Sequence, residues 1–232
     1  MTRDALIIAH GQPSAPDGPE AEIAALAAQV EAALPGWRVR GATLAAPDAL
    51  EIALAETAAP VVFPFFMSDG WFIRTALPER LAAAGRPDLT IRTPFGLLPA
   101  TRALAEDVLR RALLMRGWPA EKTRLICAAH GSGRSARPAQ TARALAEAAG
   151  AALGFAELRC GFIEEPPPLT EALAGTGQRA LCLPLFVAHW GHVREDLPAA
   201  VAAAGFEGAV LPPLGADPGV PDLIARNLAG LD

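Results

Sequence analysis

The chain has no uncharged apolar run near the roughly 20 residues that a membrane-spanning helix needs, although 52% of its 232 residues are hydrophobic and only 19% charged. No membrane partner is expected. Cysteine is scarce. Cys127, Cys160 and Cys182 are odd in number, lack CxxC spacing and lie in apolar, strand-like segments, so they read as reduced core residues. Basic clustering is also missing, because the net charge is −5 and the 20 Lys and Arg are dispersed. Without a basic face for a phosphate backbone, nucleic acid is not an expected partner. No GxxxxGK[ST] loop occurs, so nucleotide hydrolysis is not indicated. The start, Met-Thr-Arg-Asp running directly into Ala5–Ala9, lacks the charged region, apolar stretch and cleavage site of a secretory signal. A cytoplasmic enzyme or binding protein is the expectation.

What the chain does contain is a repeat. Ala5-Leu6-Ile7-Ile8-Ala9-His10-Gly11 recurs 120 positions later as Leu125-Ile126-Cys127-Ala128-Ala129-His130-Gly131. Val61-Val62-Phe63-Pro64-Phe65-Phe66-Met67 recurs at the same offset as Leu181-Cys182-Leu183-Pro184-Leu185-Phe186-Val187, and Arg74, Leu77 and Pro78 fall on Arg194, Leu197 and Pro198. Pro94-Phe95-Gly96 and Pro213-Leu214-Gly215 differ by 119, as one deletion produces. Repeated order at a nearly constant offset points to duplication, with a first lobe over residues 1–116, a second over 122–232 and a linker within Met115–Thr123.

Within each copy, short apolar runs alternate with Ala/Leu-rich stretches of helical period. The first copy predicts strands near 5–9, 38–43, 60–65 and 89–92 and helices near 19–34, 48–57, 72–84 and 100–115, and the second repeats that order. The helix over 19–34 sets Ile23, Ala27, Val30 and Leu34 on one stripe, with Glu20 and Glu22 in a first turn that favours negative charge. Strands that are continuously apolar belong to parallel sheets covered on both faces. The expected fold class is therefore α/β, two duplicated doubly wound parallel-sheet lobes facing across a cleft.

In such folds ligands bind beyond the carboxyl ends of the strands. His130 follows the first strand of the second copy, His192 follows its third, and Glu164 follows the second strand between them. Two imidazoles and a carboxylate from neighbouring strand ends can bind a divalent transition metal and leave positions open. The first copy has His10, Leu44 and Phe72 at those places. A lone histidine at a strand end is as readily a hydrogen-bonded scaffold residue, and that reading applies evenly to His10. His189 shares the face of His192 only if a helix begins before it, and a polar rim position is the plainer account.

The motifs Ala129-His130-Gly131-Ser132, Gly161-Phe162-Ile163-Glu164 with Pro167, Pro184-Leu185-Phe186 leading to His192 and Asp196-Leu197-Pro198, and Pro213-Leu214-Gly215-Ala216-Asp217-Pro218 resemble the class II, ATP-independent tetrapyrrole chelatases, the CbiX/SirB group of sirohydrochlorin chelatases. The resemblance implies that His130, His192 and Glu164 handle the metal as the catalytic set, and that the macrocycle lies between two lobes. It departs at Trp190, where the family has glycine two places before the second histidine, which implies an altered shape beside His192.

Metal insertion requires desolvating M²⁺, removing two pyrrole protons and exposing the ring nitrogens. His130 and His192 would replace part of the metal's water shell, while Glu164 would complete that site or accept a pyrrole proton. Leu44, Phe66, Trp71 and Phe72 offer an apolar wall from the first copy, and His10 joins them as a substrate contact. Arg134 and Arg194, with Arg74 and Arg137, are candidates for the carboxylates of the macrocycle, against the plainer reading of surface solvation. No cofactor is required, since Co²⁺ or Fe²⁺ enters as substrate. Two lobes in one chain predict a monomer. Two other readings stay open at this level: a protein that binds or delivers metal or tetrapyrrole without turnover, and histidine phosphatase chemistry, disfavoured because Ala9 and Ala129 stand where an arginine is needed.

Overall fold

The structure is a computed structural model that describes residues 2–231. In chain order the first copy forms β1 (Arg3–Ala9), α1 (Asp17–Ala33), β2 (Trp37–Thr43), α2 (Ala49–Ala55), β3 (Val61–Pro64), α3 (Leu77–Ala83) and α4 (Pro99–Arg116). The second forms β4 (Arg124–Ala129), α5 (Arg137–Leu153), β5 (Glu157–Phe162), α6 (Leu169–Leu173), β6 (Ala180–Pro184), α7 (Leu197–Ala203), β7 (Ala209–Val210) and α8 (Val220–Ala229). Every strand pair is parallel, in the orders β2-β1-β3 and β5-β4-β6-β7. The α/β doubly wound class read from the sequence is the class observed.

The central strands β1 and β4 are buried from their second residue onward, which is why both read as unbroken apolar runs. On α1 the stripe Ile23, Ala27, Val30 is buried and Leu34 continues it. That helix begins at Asp17, two residues before the expected start, because Pro19 is compatible with a first turn whose N–H groups have no intrahelical partner. Asp17 and Glu20 are the acidic first-turn residues, and Glu22 lies beyond it.

The fourth strand expected at 89–92 is only a single bridge, Val62 to Ile91. Val62 N–H donates to the Thr90 carbonyl and Arg92 N–H to the Val62 carbonyl, both at 2.8 Å. The next rungs of a parallel ladder would need N–H groups from residues 64 and 94, and both are proline, which has none. Pro184 and Pro213 stop β7 in the same way, after Leu211 N–H donates to the Cys182 carbonyl at 2.9 Å.

The helix expected over 72–84 divides into a π-turn, Phe72–Ala76, followed by α3, and its counterpart into His192–Asp196 followed by α7. Both π-turns close with an N–H to C=O bond five residues back, Leu77 to Phe72 and Leu197 to His192.

The compact units differ from the linear halves 1–116 and 122–232. One unit holds the residues through Leu98 together with those from Pro218 onward, and the other holds Pro99–Asp217. The last helix of each copy is exchanged, so α8 packs on α1 and α4 packs on α5. On α8 the residues Val220, Leu223, Ile224 and Leu228 are buried, and on α4 Ala105, Leu109, Ala112 and Leu113. Equal repeats fix where a helix starts and ends but not which copy of its partner surface it covers.

Cross-strand charges are also arranged differently. In the first unit Asp4 on β1 stands opposite Arg38 on β2 and bonds its Nε at 2.9 Å. In the second, Arg124 on β4 stands opposite Glu157 on β5, again at 2.9 Å. Burial opposes ionisation of Asp4, yet the bonds from Arg38 and from the Ala58 N–H hold its carboxyl below the usual carboxylate value. The Arg159 bond, aided by Arg124, does the same for Glu157. Burial pushes the Cys182 thiol up to about 12 and raises those of Cys127 and the half-buried Cys160. All three cysteines are free.

Candidate metal-handling site

The carboxyl ends of β5, β4 and β6 lie side by side because β4 pairs with both neighbours. Each delivers one of the expected residues. His130 follows β4 directly, and Gly131 after it has φ of +71°. A Cβ there would lie 2.7 Å from Glu165 Oε1, so conformation and space both require glycine. Glu164 follows β5 and is anchored by its backbone, whose N–H donates to the His130 carbonyl at 2.9 Å. His192 opens the π-turn beyond β6.

The structure brings these three together. His130 Nε2 and His192 Nε2 are 3.0 Å apart, with the rings edge to face at 4.4 Å between centroids. Glu164 Oε1 stands 3.9 Å from His130 Nε2. That distance is beyond a hydrogen bond. Among the described residues no group of three His, Cys, Asp or Glu side chains is gathered closely enough to enclose a metal. The site is a touching imidazole pair with one exposed carboxylate beside it.

The far nitrogens assign the tautomers. His130 Nδ1 lies 2.9 Å from the Gly131 carbonyl, and His192 Nδ1 lies 2.7 Å from Asp196 Oδ2. A carbonyl and a carboxylate only accept, so both rings carry their proton on Nδ1. Two Nε2 lone pairs then point at each other, which is a donor pair suited to a cation.

The first unit keeps the niche and changes its chemistry. His10 and Phe72 pack ring against ring, tilted by 37° with centroids 4.1 Å apart. Phe66 lies face to face with Phe72 at 6.2 Å, 29° from parallel, and Trp71 meets it edge-on at 5.2 Å, while Leu44 and Phe66 pack on the core below. Of the arginines, Arg74 is engaged by Asp69, with Nε 3.0 Å from Oδ2. Arg134 and Arg194 are exposed on the segments that carry His130 and His192, and Arg137 opens α5. His189 precedes the π-turn, so it does not share a helical face with His192.

The CbiX family model matches residues 124–230, the copy that holds the imidazole pair. A solved structure of CbiX, described as the terminal enzyme for biosynthesis of siroheme in denitrifying bacteria, superposes with a TM-score of 0.91 at 46% identity, covering 98% of this chain and 99% of that one. The chain belongs to the CbiX family. Two more distant structures share the CbiX fold. SirB from Bacillus subtilis, solved with Fe³⁺, gives a TM-score of 0.76 at 15% identity over 100% of this chain and 96% of its own. DR2241 from Deinococcus radiodurans, a multi-domain protein with structural similarity to chelatases, gives 0.73 at 22% identity over 99% of this chain and 55% of its own. None of the curated protein sequences matches this CbiX chain.

Sequence reasoning passed over two carboxylates beside the imidazole pair. Asp196 was legible only as part of Asp196-Leu197-Pro198, yet it lies four residues after His192, and the repeat has Ala76 in its place. Glu165 follows Glu164, accepts the Ser132 N–H at 3.0 Å and has Ala45 as its counterpart.

Proposed function

We propose that this protein is an ATP-independent sirohydrochlorin chelatase that inserts a divalent metal, Fe²⁺ or Co²⁺, into the macrocycle. The observation that carries the reading is the pair of Nε2 atoms at 3.0 Å in a chain that belongs to the CbiX family. A metal at about 2.1 Å from both nitrogens would see them at an angle of about 90°, as two adjacent positions of an octahedron. Two histidines and a carboxylate on one face hold Fe²⁺ while leaving other positions open. An open, incomplete set suits a metal that must leave again.

In this reading His130 and His192 strip part of the water from the metal and present it. Glu164, at 3.9 Å from His130 Nε2, contacts the resting metal and accepts a pyrrole proton when the macrocycle arrives. Arg134 and Arg194 meet carboxylates of the substrate. In the first unit, His10 and Phe72 with their aromatic neighbours offer a surface chemically suited to a flat conjugated ring. The relative described in siroheme biosynthesis favours Fe²⁺ as the physiological metal. The protein acts in the cytoplasm as a monomer, without nucleic acid or any obligatory cofactor. No helix among the described residues is long and apolar enough to cross a membrane.

Steady-state insertion of Fe²⁺ into sirohydrochlorin, followed by the absorbance of the macrocycle, tests the proposal. Many turnovers per chain are expected. Stoichiometric binding that stops after one equivalent would replace the chelatase reading with one of metal or tetrapyrrole delivery. Sedimentation showing an obligate dimer would remove the monomer.

A further inference from the structure

Two further carboxylates are linked to the two histidine rings, one directly and one through a peptide unit. Asp196 Oδ2 accepts the Nδ1 proton of His192 directly, at 2.7 Å. Glu165 reaches His130 through one peptide unit. Its Oε1 accepts the Ser132 N–H at 3.0 Å, and the carbonyl of that same peptide, Gly131 C=O, lies 2.9 Å from His130 Nδ1. A carboxylate on the N–H of a peptide orients it and polarises its carbonyl toward a donor. We propose that Asp196 and Glu165 are positioning residues, which fix both imidazoles as Nδ1–H tautomers and so aim two Nε2 lone pairs at one point.

A purely structural account fits the observations less well. Asp196 has helical backbone angles and joins the π-turn to α7 without a break, the Leu197 N–H after it is bonded to the His192 carbonyl, and its carboxylate makes no capping bond. It turns back to the ring instead. Loss in the first copy is concerted as well. Phe72 replaces His192, which removes the second nitrogen, and Ala76 and Ala45 replace Asp196 and Glu165. The turn, the strand and the glycine after the histidine survive there, since Gly11 has φ of +79° as Gly131 has +71°, and the π-turn recurs. The backbone therefore does not need either carboxylate. They are present where two nitrogens must be aimed.

The inference rests on the metal-loading reading above, and the experiment separates the two. Co²⁺ alone is titrated into the metal-free full-length protein and its variants, with the histidine tautomers read from two-bond ¹H–¹⁵N correlations and melting curves recorded in parallel. Asp196→Ser, which removes the carboxylate and keeps a small polar side chain, is expected to weaken Co²⁺ binding by about 10- to 100-fold, as loss of an outer partner of a metal ligand does. Its His192 should show mixed tautomers and its melting point should be unchanged. Glu165→Ala should weaken binding by about 10-fold, and Glu165→Gln, which keeps an acceptor for the Ser132 N–H, should restore it. Adding Asp196→Ser to His192→Ala should cost nothing further, because the carboxylate acts through that ring.

Asp196→Ser binding within threefold of the parent, or an unchanged His192 tautomer, would overturn the inference. So would a double variant weaker than His192→Ala by the full Asp196→Ser factor. If the serine variant folds poorly, Asp196→Ala carries the same expectation. Should His130→Ala and His192→Ala both bind Co²⁺ as tightly as the parent, the metal-loading reading itself falls. Loss in those two with no change in Asp196→Ser removes only the positioning role.

Discussion

His130 and His192 face each other through Nε2 atoms 3.0 Å apart, whereas at the equivalent place His10 packs against the tilted ring of Phe72. The duplication has thus kept one imidazole twice and the pair once. His130→Ala and His192→Ala are each expected to lower metal insertion by at least about 100-fold, while His10→Ala lowers it less than about 10-fold. Initial rates at saturating Fe²⁺ measure this. Equal losses in all three would show that the first unit also handles metal.

Glu164 stands 3.9 Å from His130 Nε2 and is exposed, a position suited to proton transfer more than to tight ligation. Glu164→Gln is expected to leave Co²⁺ affinity within a few-fold, yet to slow insertion by about 10²- to 10⁴-fold, the usual span for a removed general base. Single-turnover absorbance changes after metal preloading separate the two steps. A loss of affinity as large as the loss of rate would make Glu164 a ligand first.

The buried thiols should be inert in the folded protein. Burial holds Cys182 at about 12 and raises Cys127 and Cys160 as well, so at pH 8 almost no thiolate is present to attack a reagent. Ellman's reagent should find no fast-reacting thiol in the native state and three after denaturation. Rapid native labelling of Cys182 would contradict its placement in β6.

Acid should act on the Asp4–Arg38 pair. The folded carboxyl of Asp4 sits below its unfolded value of about 3.9, so its stabilising contribution is complete above that pH and disappears as pH falls through the folded value. Asp4→Asn is expected to lower Tm at pH 7 by several degrees, and the difference from the parent should close below about pH 4. A difference that persists unchanged at pH 2 would mean that packing, not charge, sets the effect.

Removing residues 218–232 takes away α8, whose buried Val220, Leu223, Ile224 and Leu228 cover the first unit. Deletion should therefore raise hydrogen exchange in α1 and β1 while α5 and β4 stay protected. Uniform loss of protection would show that the two units fold as one cooperative block.

Much of this was legible beforehand because parallel strands leave long apolar signatures and collect their carboxyl ends on one edge. The places of His130, Glu164 and His192 followed from that alone. The fourth strand failed because periodicity does not count N–H donors, and Pro64 and Pro94 matter only once Val62 is known to bridge Ile91. Helix exchange is invisible where two copies offer nearly the same surface. The π-turn at His192 escaped because one residue of extra winding leaves hydrophobic spacing almost intact, and Asp196 escaped with it.

The reversed charges on the two sheets bear on how a duplicated chain avoids confusing its own halves. Were β1 to pair with β5 in the native register, Asp4 would face Glu157, and were β4 to pair with β2, Arg124 would face Arg38. Like charges directly opposite one another disfavour a strand pair, and misassembly between similar segments is a characteristic failure of repeated chains. Each sheet thus carries a polarity key at its first rungs, so the central strand that closes on the wrong partner meets repulsion where the correct partner gives an ion pair.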